Sequence, residues 1–239
     1  MNKLEGVQLG SHHTLNDWGL YLKNRPTIGT PEPKTNYVDI PGADGSIDMT
    51  QALTGDVQYK MRTLSFDLVC IKDRADWAEA FSTILDAVHG QQVRIIFDND
   101  PEWFYRGRVT VNEWKSDKAT GTIAVSCLVE PYKYAVRSTL DPWLWDDTIF
   151  SPDYYIQEFN RMQVDGEKTI TIVGGRQRSI PTFDVETDDD SMTVEYNGNT
   201  YTLQNGKSQV LNIVIEQGEN HMTFRGNGTV TVDYRRGRL

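Results

Sequence analysis

This chain of 239 residues is poor in cysteine and contains no long apolar segment. No run approaches the roughly 20 apolar residues that a membrane-spanning helix needs. The first ten residues, MNKLEGVQLG, lack the apolar stretch of a signal peptide. We therefore expect a protein that is made and folded in a cytoplasm and has no membrane role of its own.

The two cysteines, Cys70 and Cys127, each fall on the apolar phase of an alternating segment. This placement favours two buried, reduced thiols, because a free cysteine behaves as a small apolar side chain. A disulfide between adjacent strands is the alternative. A metal site built on the pair is disfavoured, since no CxxC spacing and no nearby histidine completes it.

Basic residues are few relative to acidic ones, 24 against 34, which gives a formal net charge of −10. Proteins that bind nucleic acid by neutralising phosphates carry the opposite balance. The charge is compatible with a protein that stays soluble before assembly, or with one that lines a channel through which DNA slides.

The motifs of the common catalytic classes are absent. No G-x-S-x-G nucleophile turn occurs, and Gly174-Gly175 lacks the Lys-Ser/Thr that completes a phosphate-binding loop. No pair of carboxylates stands out as the acid and base of a glycosidase. We therefore expect neither catalytic activity nor a cofactor.

Two clusters have residue types that bind metals, but neither has the spacing. His12-His13 has no carboxylate or cysteine at metal-ligand spacing, which favours a surface or interface role. The acidic run 188–190 could bind calcium, yet it lacks the glycine and terminal glutamate of an EF-hand loop. A solvated hairpin turn is the favoured interpretation, and we expect no metal site.

The first half of the chain alternates between strand and turn signals and contains one convincing helix. Residues 37–49 read as strand, turn and strand, in which Asp44-Gly45 suits positive φ values, and strands are expected over 59–68, 92–97, 103–114 and 120–129. Between them, one face of an amphipathic helix is predicted, with Asp73 as its N-cap and Gly90 as its stop. Its apolar residues are Trp77, Phe81, Ile84, Leu85 and Val88.

The second half shows short strands separated by glycine and asparagine turns. The spacing predicts an antiparallel β-sandwich, and Asn197-Gly198 is the clearest hairpin signal. The predicted strands cover residues 168–173, 182–187, 191–196, 200–203, 208–215, 221–225 and 228–234.

Two phrases of the first half, YVDIPGADGSIDMTQALTG and YKMRTLSFDL, resemble the N-terminal domain of the siphovirus distal tail protein (Dit) family. The closing GNGTVTVDYRRGRL is similar to the way those chains end. The resemblance implies a mainly β protein: an α+β ring-forming N-terminal domain with one helix at residues 1–135, then an antiparallel β-sandwich of galectin-like or carbohydrate-module-like type at residues 136–239.

The resemblance also implies a structural role without catalysis. Such proteins form a hexameric ring at the tail tip of phages or prophages of Gram-positive bacteria, with a central channel for DNA. The partners implied are the tail tube protein, the tail-tip (tail-associated) protein and receptor-binding proteins. The protein would be made in the host cytoplasm and reside in the virion.

A ring needs an exposed edge or arm that reaches the next copy. We expect the hairpin around residues 41–45 to serve this purpose, with contacts from Tyr37, Val38, Ile40, Ile47 and Met49.

A second hypothesis is a carbohydrate-binding module for host cell-surface glycan. In this hypothesis the aromatic residues Trp143, Trp145, Tyr154 and Tyr155 contact sugar. Packing against a partner or between the domains is the favoured role for these four residues. An enzyme acting on cell wall is a third hypothesis.

Overall fold

The computed structural model describes residues 4–70, 74–116, 120–142, 157–189 and 191–239. The chain divides into two compact units, residues 1–133 with Leu239 and residues 134–238. Strands make up most of the regular structure and pair antiparallel, so the predicted mainly β class is confirmed.

The first unit is built on one antiparallel sheet with a separate hairpin. Its strands are β1 (Val7–Leu9), β2 (His12–His13), β3 (Leu20–Leu22), β4 (Thr27–Ile28), β5 (Tyr37–Asp39), β6 (Ser46–Asp48), β7 (Arg62–Cys70), β8 (Gln92–Phe97), β9 (Trp103–Ser116) and β10 (Gly121–Val129). The sheet runs in the order β2-β1-β8-β9-β10-β7-β3, with β4 also paired to β7, while β5 and β6 pair only with each other.

Alternation along the central strands explains the core of this unit. In β7, Leu64, Phe66 and Leu68 are buried while Ser65 and Asp67 between them are exposed, because successive side chains point to opposite faces. Cys70 and Cys127 are both buried and free, which confirms the interpretation as reduced thiols.

The predicted helix is α2 (Trp77–Val88), preceded by a 3₁₀ turn at Arg74–Asp76. Its predicted apolar face is confirmed: Trp77, Ile84 and Val88 are buried, and the other two members pack against the same core. The predicted N-cap Asp73 lies outside the described residues. Gly90 follows the helix with φ of +74°, a value that glycine tolerates best, so the predicted stop is confirmed.

A second helix, α1 (Thr14–Trp18), was not predicted, so the expectation of a single helix is wrong. Five residues are too short to show an apolar period. The helix is fixed by its ends: His13 Nδ1 accepts a hydrogen bond from the Asn16 amide at 3.2 Å, and Gly19 ends it with φ of +69°.

The second unit contains a six-stranded antiparallel sheet with its own core, and two short strands, β11 and β18, that lie outside this sheet. Its strands are β11 (Lys133–Ala135), β12 (Met162–Gly174), β13 (Thr182–Glu186), β14 (Met192–Tyr196), β15 (Asn199–Leu203), β16 (Gly206–Ser208), β17 (Gly218–Asp233) and β18 (Gly237–Arg238). The six-stranded sheet has the order β15-β14-β17-β13-β16, with β12 paired along β17, while β11 and β18 pair with each other.

The 16-residue strand β17 organises this unit because it pairs with different neighbours along its length. Residues 222–225 pair with β14, and residues 229–233 pair with β13. Between them, Gly226 and Gly228 have φ values of +136° and +145°. The sequence interpretation of this glycine pair as a break between two strands is wrong: the glycines bend one continuous strand.

Two further predictions in this unit have opposite outcomes. Asn197 and Gly198 have φ values of +49° and +76°, which confirms the predicted hairpin turn. The predicted strand over residues 208–215 is wrong, since the strand ends at Ser208. Ile213 and Ile215 are fully buried, so their apolar character reflects core packing by a loop.

Candidate assembly surface

The β5–β6 hairpin stands away from the core of the first unit. Every residue from 32 to 49 is exposed, including the large apolar residues on its two strands. Gly42 and Gly45 adopt φ of +82° and +80° at the turn, as the sequence suggests for Gly45, whereas Asp44 keeps a negative φ. We refer to residues 36–58, the hairpin with the loop that follows it, as the arm.

The arm is joined to the sheet by a two-stranded root. The Lys34 amide donates to the Gln58 carbonyl at 2.7 Å, and the Lys60 amide donates to the Glu32 carbonyl at 2.8 Å. Nearer the sheet, the Gly29 amide donates to the Thr63 carbonyl at 2.9 Å. Because this ladder continues directly into β7, the position of the arm is tied to a central strand.

One face of the hairpin is apolar. Val38 lies directly opposite Ile47, and strand alternation places Ile40 and Met49 on the same side. These four side chains are between 42% and 49% exposed, which is unusual for adjacent apolar residues on one surface. Covering such a face with a partner lowers the free energy, because apolar surface is removed from water.

The opposite face carries acidic residues beside Tyr37. Tyr37 lies opposite Asp48, and Asp39 lies opposite Ser46, whose hydroxyl donates to the Asp39 carboxylate at 2.5 Å. Hydrogen bonds from the side chain and the amide of Thr50 lower the pKa of Asp48 below its ordinary value. The carboxylate of Asp48 is therefore ionised at neutral pH.

The structure thus brings together the five predicted interface residues on one exposed hairpin, with Tyr37 on the acidic face and the other four on the apolar face. Leu53, which is 97% exposed in the loop after β6, was not among the predicted interface residues. A leucine within the polar segment Gln51 to Gly55 was the available signal, since a loop that packs on nothing has no internal use for it.

The four aromatic residues predicted to contact glycan or a partner, Trp143, Trp145, Tyr154 and Tyr155, lie outside the described residues.

In the second unit, a groove of about 250 Å³ lies over the outer face of β13 and β17. Its lining is polar and includes Arg161, Asp184, Lys207, Thr231 and Asp233. Arg161 also forms a two-pronged ion pair with Glu186, at 2.7 Å and 3.1 Å.

The remaining candidate residues have structural contacts. His13 Nε2 lies 2.9 Å from the Asp98 carboxylate, and His12 stacks on Trp18 with ring centres 5.2 Å apart. The Asp189 amide donates to the Thr187 hydroxyl at 3.1 Å, as in a turn. Across the described ranges, no group of three His, Cys, Asp or Glu side chains could hold a metal ion.

None of the described helices is both long enough and apolar enough to cross a membrane.

Comparison with solved structures identifies the fold. The chain superposes on the crystal structure of the Dit protein (gp 19.1) of phage SPP1 with a TM-score of 0.63, covering 99% of this chain and 100% of that one. The chain has the fold of a Dit protein. Sequence identity is 13%, so the agreement concerns the Dit fold and not individual residues.

The SPP1 protein is described as a paradigm of the hub adsorption apparatus in phages that infect Gram-positive bacteria. No known protein family matches the chain by sequence. No curated protein matches it either. The resemblance noted in the sequence is therefore supported by the fold alone.

Proposed function

We propose that this protein is a structural component of a phage tail tip, a distal tail hub without catalytic activity. The observation that carries the proposal is the Dit fold, shared with a hub adsorption protein over the full length of both chains. The exposed arm is a second support, because a subunit that functions alone has no need of an uncovered apolar hairpin.

In this proposal six copies close into a ring through the N-terminal domain, residues 1–135, and the C-terminal domain, residues 136–239, lies outside the contact. The ring joins the tail tube protein to the tail-tip protein and carries receptor-binding proteins. It leaves a central channel for DNA. The net charge of −10 suits a channel that does not retain a polyanion. The hub is made in the host cytoplasm and resides in the virion.

The arm supplies much of the contact between neighbours in this proposal. Its apolar face offers four adjacent side chains, Val38, Ile40, Ile47 and Met49, that a neighbour would cover. A head-to-tail contact of this kind forms a ring when the rotation between copies closes. Tyr37, on the other face, enlarges the surface available to the neighbour.

Light scattering of the purified protein, with negative-stain images, tests the proposal. We expect a mass of about six subunits and a ring with a central hole. Deletion of residues 41–45 should abolish the ring and leave the second unit folded, because the deleted turn contributes nothing to that unit. Rings of full size from the deletion variant would overturn the role of the arm.

Carbohydrate binding by the second unit is an alternative function, favoured by the polar groove over β13 and β17. Asp184, Lys207 and Asp233 line the groove and place charged groups on a rigid sheet, where they could hydrogen-bond vicinal hydroxyls. Binding of the intact protein to purified host cell-wall glycan would support this function. Loss of that binding on Asp184→Ala, with no loss on Leu211→Ala, would place the ligand in the groove.

A further inference from the structure

The arm carries negative charge only. Residues 36–58 contain four aspartates, Asp39, Asp44, Asp48 and Asp56, and no lysine, arginine or histidine. The arm is therefore a strongly acidic segment. A partner surface for it should carry positive charge together with some apolar area.

Such a surface occurs on the outer face of β8, β9 and β10. Arg94 of β8 lies directly opposite Arg106 of β9, and two residues further along β9, Arg108 lies opposite Gln92. Residues that lie opposite each other in an antiparallel pair point to the same side of the sheet. The three arginines therefore share one face, and all three are exposed.

Leu128 supplies an apolar centre to this face. It lies opposite Arg108 on one side and Thr63 of β7 on the other, and it is 51% exposed. The outward residues around it include the uncharged Thr63, Ser65, Gln92, Thr110 and Ser126, and the acidic Glu130 two residues further along the chain. We refer to Arg94, Arg106, Arg108 and Leu128 as the arginine face.

Local contacts hold the arginines in place, and one of these contacts offsets part of their charge. The guanidinium of Arg94 lies 4.8 Å above the ring of Phe104, and that of Arg108 donates to the Gly90 carbonyl. Arg106 has a carboxylate neighbour, Glu130, at 3.6 Å. Three arginines against one glutamate leave the face with a net positive charge.

We propose that the acidic face of the arm of one copy docks on the arginine face of the neighbouring copy. Asp39 and Asp48 then lie against Arg106 and Arg108, and Tyr37 packs beside Leu128. This inference rests on the proposed ring, for which it names the two surfaces that meet. Both surfaces are exposed within a single chain, so their pairing requires a second copy.

The pairing gives each face of the arm a separate task. The acidic face contacts the neighbour's arginines, while the apolar face with Val38 and Ile47 is covered by a further surface of the neighbouring copy. Because each copy has one arm and one arginine face, the contact is head-to-tail and propagates from copy to copy. Opposite charge also speeds the encounter of two copies at low salt.

A charge exchange tests this contact. One variant carries Asp39→Lys and Asp48→Lys, and the other carries Arg106→Glu and Arg108→Glu. We expect each variant alone to lose the ring, because like charges then meet at every contact. An equimolar mixture should form rings again, since the lysines of one variant meet the glutamates of the other and the unchanged surfaces also match. The expected ring alternates the two variants.

A matched control carries Lys23→Glu and Lys207→Glu, two exposed lysines that lie outside both surfaces. This control should assemble like the wild type, which separates a specific contact from a general change in net charge. Thermal unfolding of all variants should stay within about 2 °C of the wild type, because exposed substitutions have little effect on stability.

Wild-type rings together with rings from both charge variants would overturn the pairing and leave the proposed function standing. Loss of the ring in both variants without recovery in the mixture would also overturn it, because the two surfaces would then serve different partners. A wild type that stays monomeric at every concentration would overturn the proposed ring itself, and this pairing with it.

Discussion

Val38 and Ile47 lie directly opposite each other across the β5–β6 hairpin, and each leaves 49% of its surface exposed. Two β-branched residues in such a pair normally stabilise a sheet by packing under a covering layer. Here both side chains stay about half exposed, so their contribution to the stability of the single chain is small. In the proposed ring, these two side chains contribute through a contact made after folding.

We therefore expect Val38→Ser with Ile47→Ser to weaken assembly without affecting folding. Removing the two apolar side chains from a covered contact should cost about 2 kcal/mol, or roughly thirtyfold in the dissociation constant. Light scattering over a dilution series measures this shift. The melting temperature should change by less than about 2 °C.

Leu211→Ser is the matched control, because Leu211 is 73% exposed in the second unit. It removes a comparable apolar side chain and should leave the dilution series unchanged. If the hairpin variant assembled at wild-type concentrations, the apolar face would have no part in the ring.

Structural elements that are specified by neighbouring residues could be predicted from the sequence. Leu64, Phe66 and Leu68 alternate with polar residues, so β7 follows from the sequence, and Asn197-Gly198 specifies its turn. Short elements set by their ends carry no such signal, as in α1. The predicted arm residues fell on an exposed hairpin because turn chemistry fixes a hairpin locally.

Other features depend on pairing that the sequence does not display. Arg94 and Arg106 are twelve residues apart and become neighbours only through the register of β8 with β9. The glycines of β17 are compatible with a break or with a bend, and the pairing of both halves to β12 decides for the bend. The galectin-like character of the second domain stays a prediction.

A buried asparagine joins three segments of the second unit. The Asn220 side-chain amide donates to the carbonyls of Ile172, Glu216 and Gly218 at 3.2, 2.9 and 2.9 Å. Its oxygen accepts from the Glu216 amide at 3.0 Å and lies 2.9 Å from the Tyr196 hydroxyl. The side chain therefore satisfies most of the polar groups around it.

Asn220→Ala should lower the free energy of unfolding by about 3 kcal/mol, because it leaves several buried polar groups unpaired at once. Urea unfolding followed by fluorescence measures the loss. Asn212→Ala, in an exposed loop of the same unit, is the control and should change stability by less than about 0.5 kcal/mol. A loss below 1 kcal/mol for Asn220→Ala would show that the network contributes little.

Burial of Cys127 predicts a pH dependence of stability. Desolvation raises the pKa of its thiol from an ordinary value of 9.0 to about 12. The unfolded chain ionises this thiol above pH 9 and the folded chain does not. The stabilisation is therefore fully present below pH 9 and is lost as the pH rises toward 12, by up to about 1.4 kcal/mol per pH unit.

Cys70→Ser isolates this thiol, and adding Cys127→Val removes it with little change in side-chain size. The difference in unfolding free energy between these two variants should be constant below pH 8.5 and should shift in favour of the valine between pH 9 and pH 11. A thiol reagent should label Cys127 at pH 8 only after unfolding. Rapid labelling of the folded protein would contradict the burial of this side chain.

The bend of β17 depends on Gly228, which has little space around its α-carbon. A β-carbon added there would lie 2.4 Å from the Glu186 carbonyl oxygen and 3.0 Å from the backbone of Thr187, and the φ of +145° is unfavourable for any other residue. Gly228→Ala should therefore strain the strand that pairs with β12, β13 and β14. We expect a loss of at least about 3 kcal/mol in unfolding free energy.

Gly198→Ala separates the two sources of this cost. Gly198 also has a positive φ, of +76°, but no atom lies within 4 Å of the position a β-carbon would take. Its substitution adds conformational strain of about 1 kcal/mol and no collision. The difference between the two variants in urea unfolding then measures the close approach of β17 to Glu186. Equal losses of unfolding free energy in the two variants would show that β17 can shift to relieve the collision, and that the close approach at Gly228 is not essential to this unit.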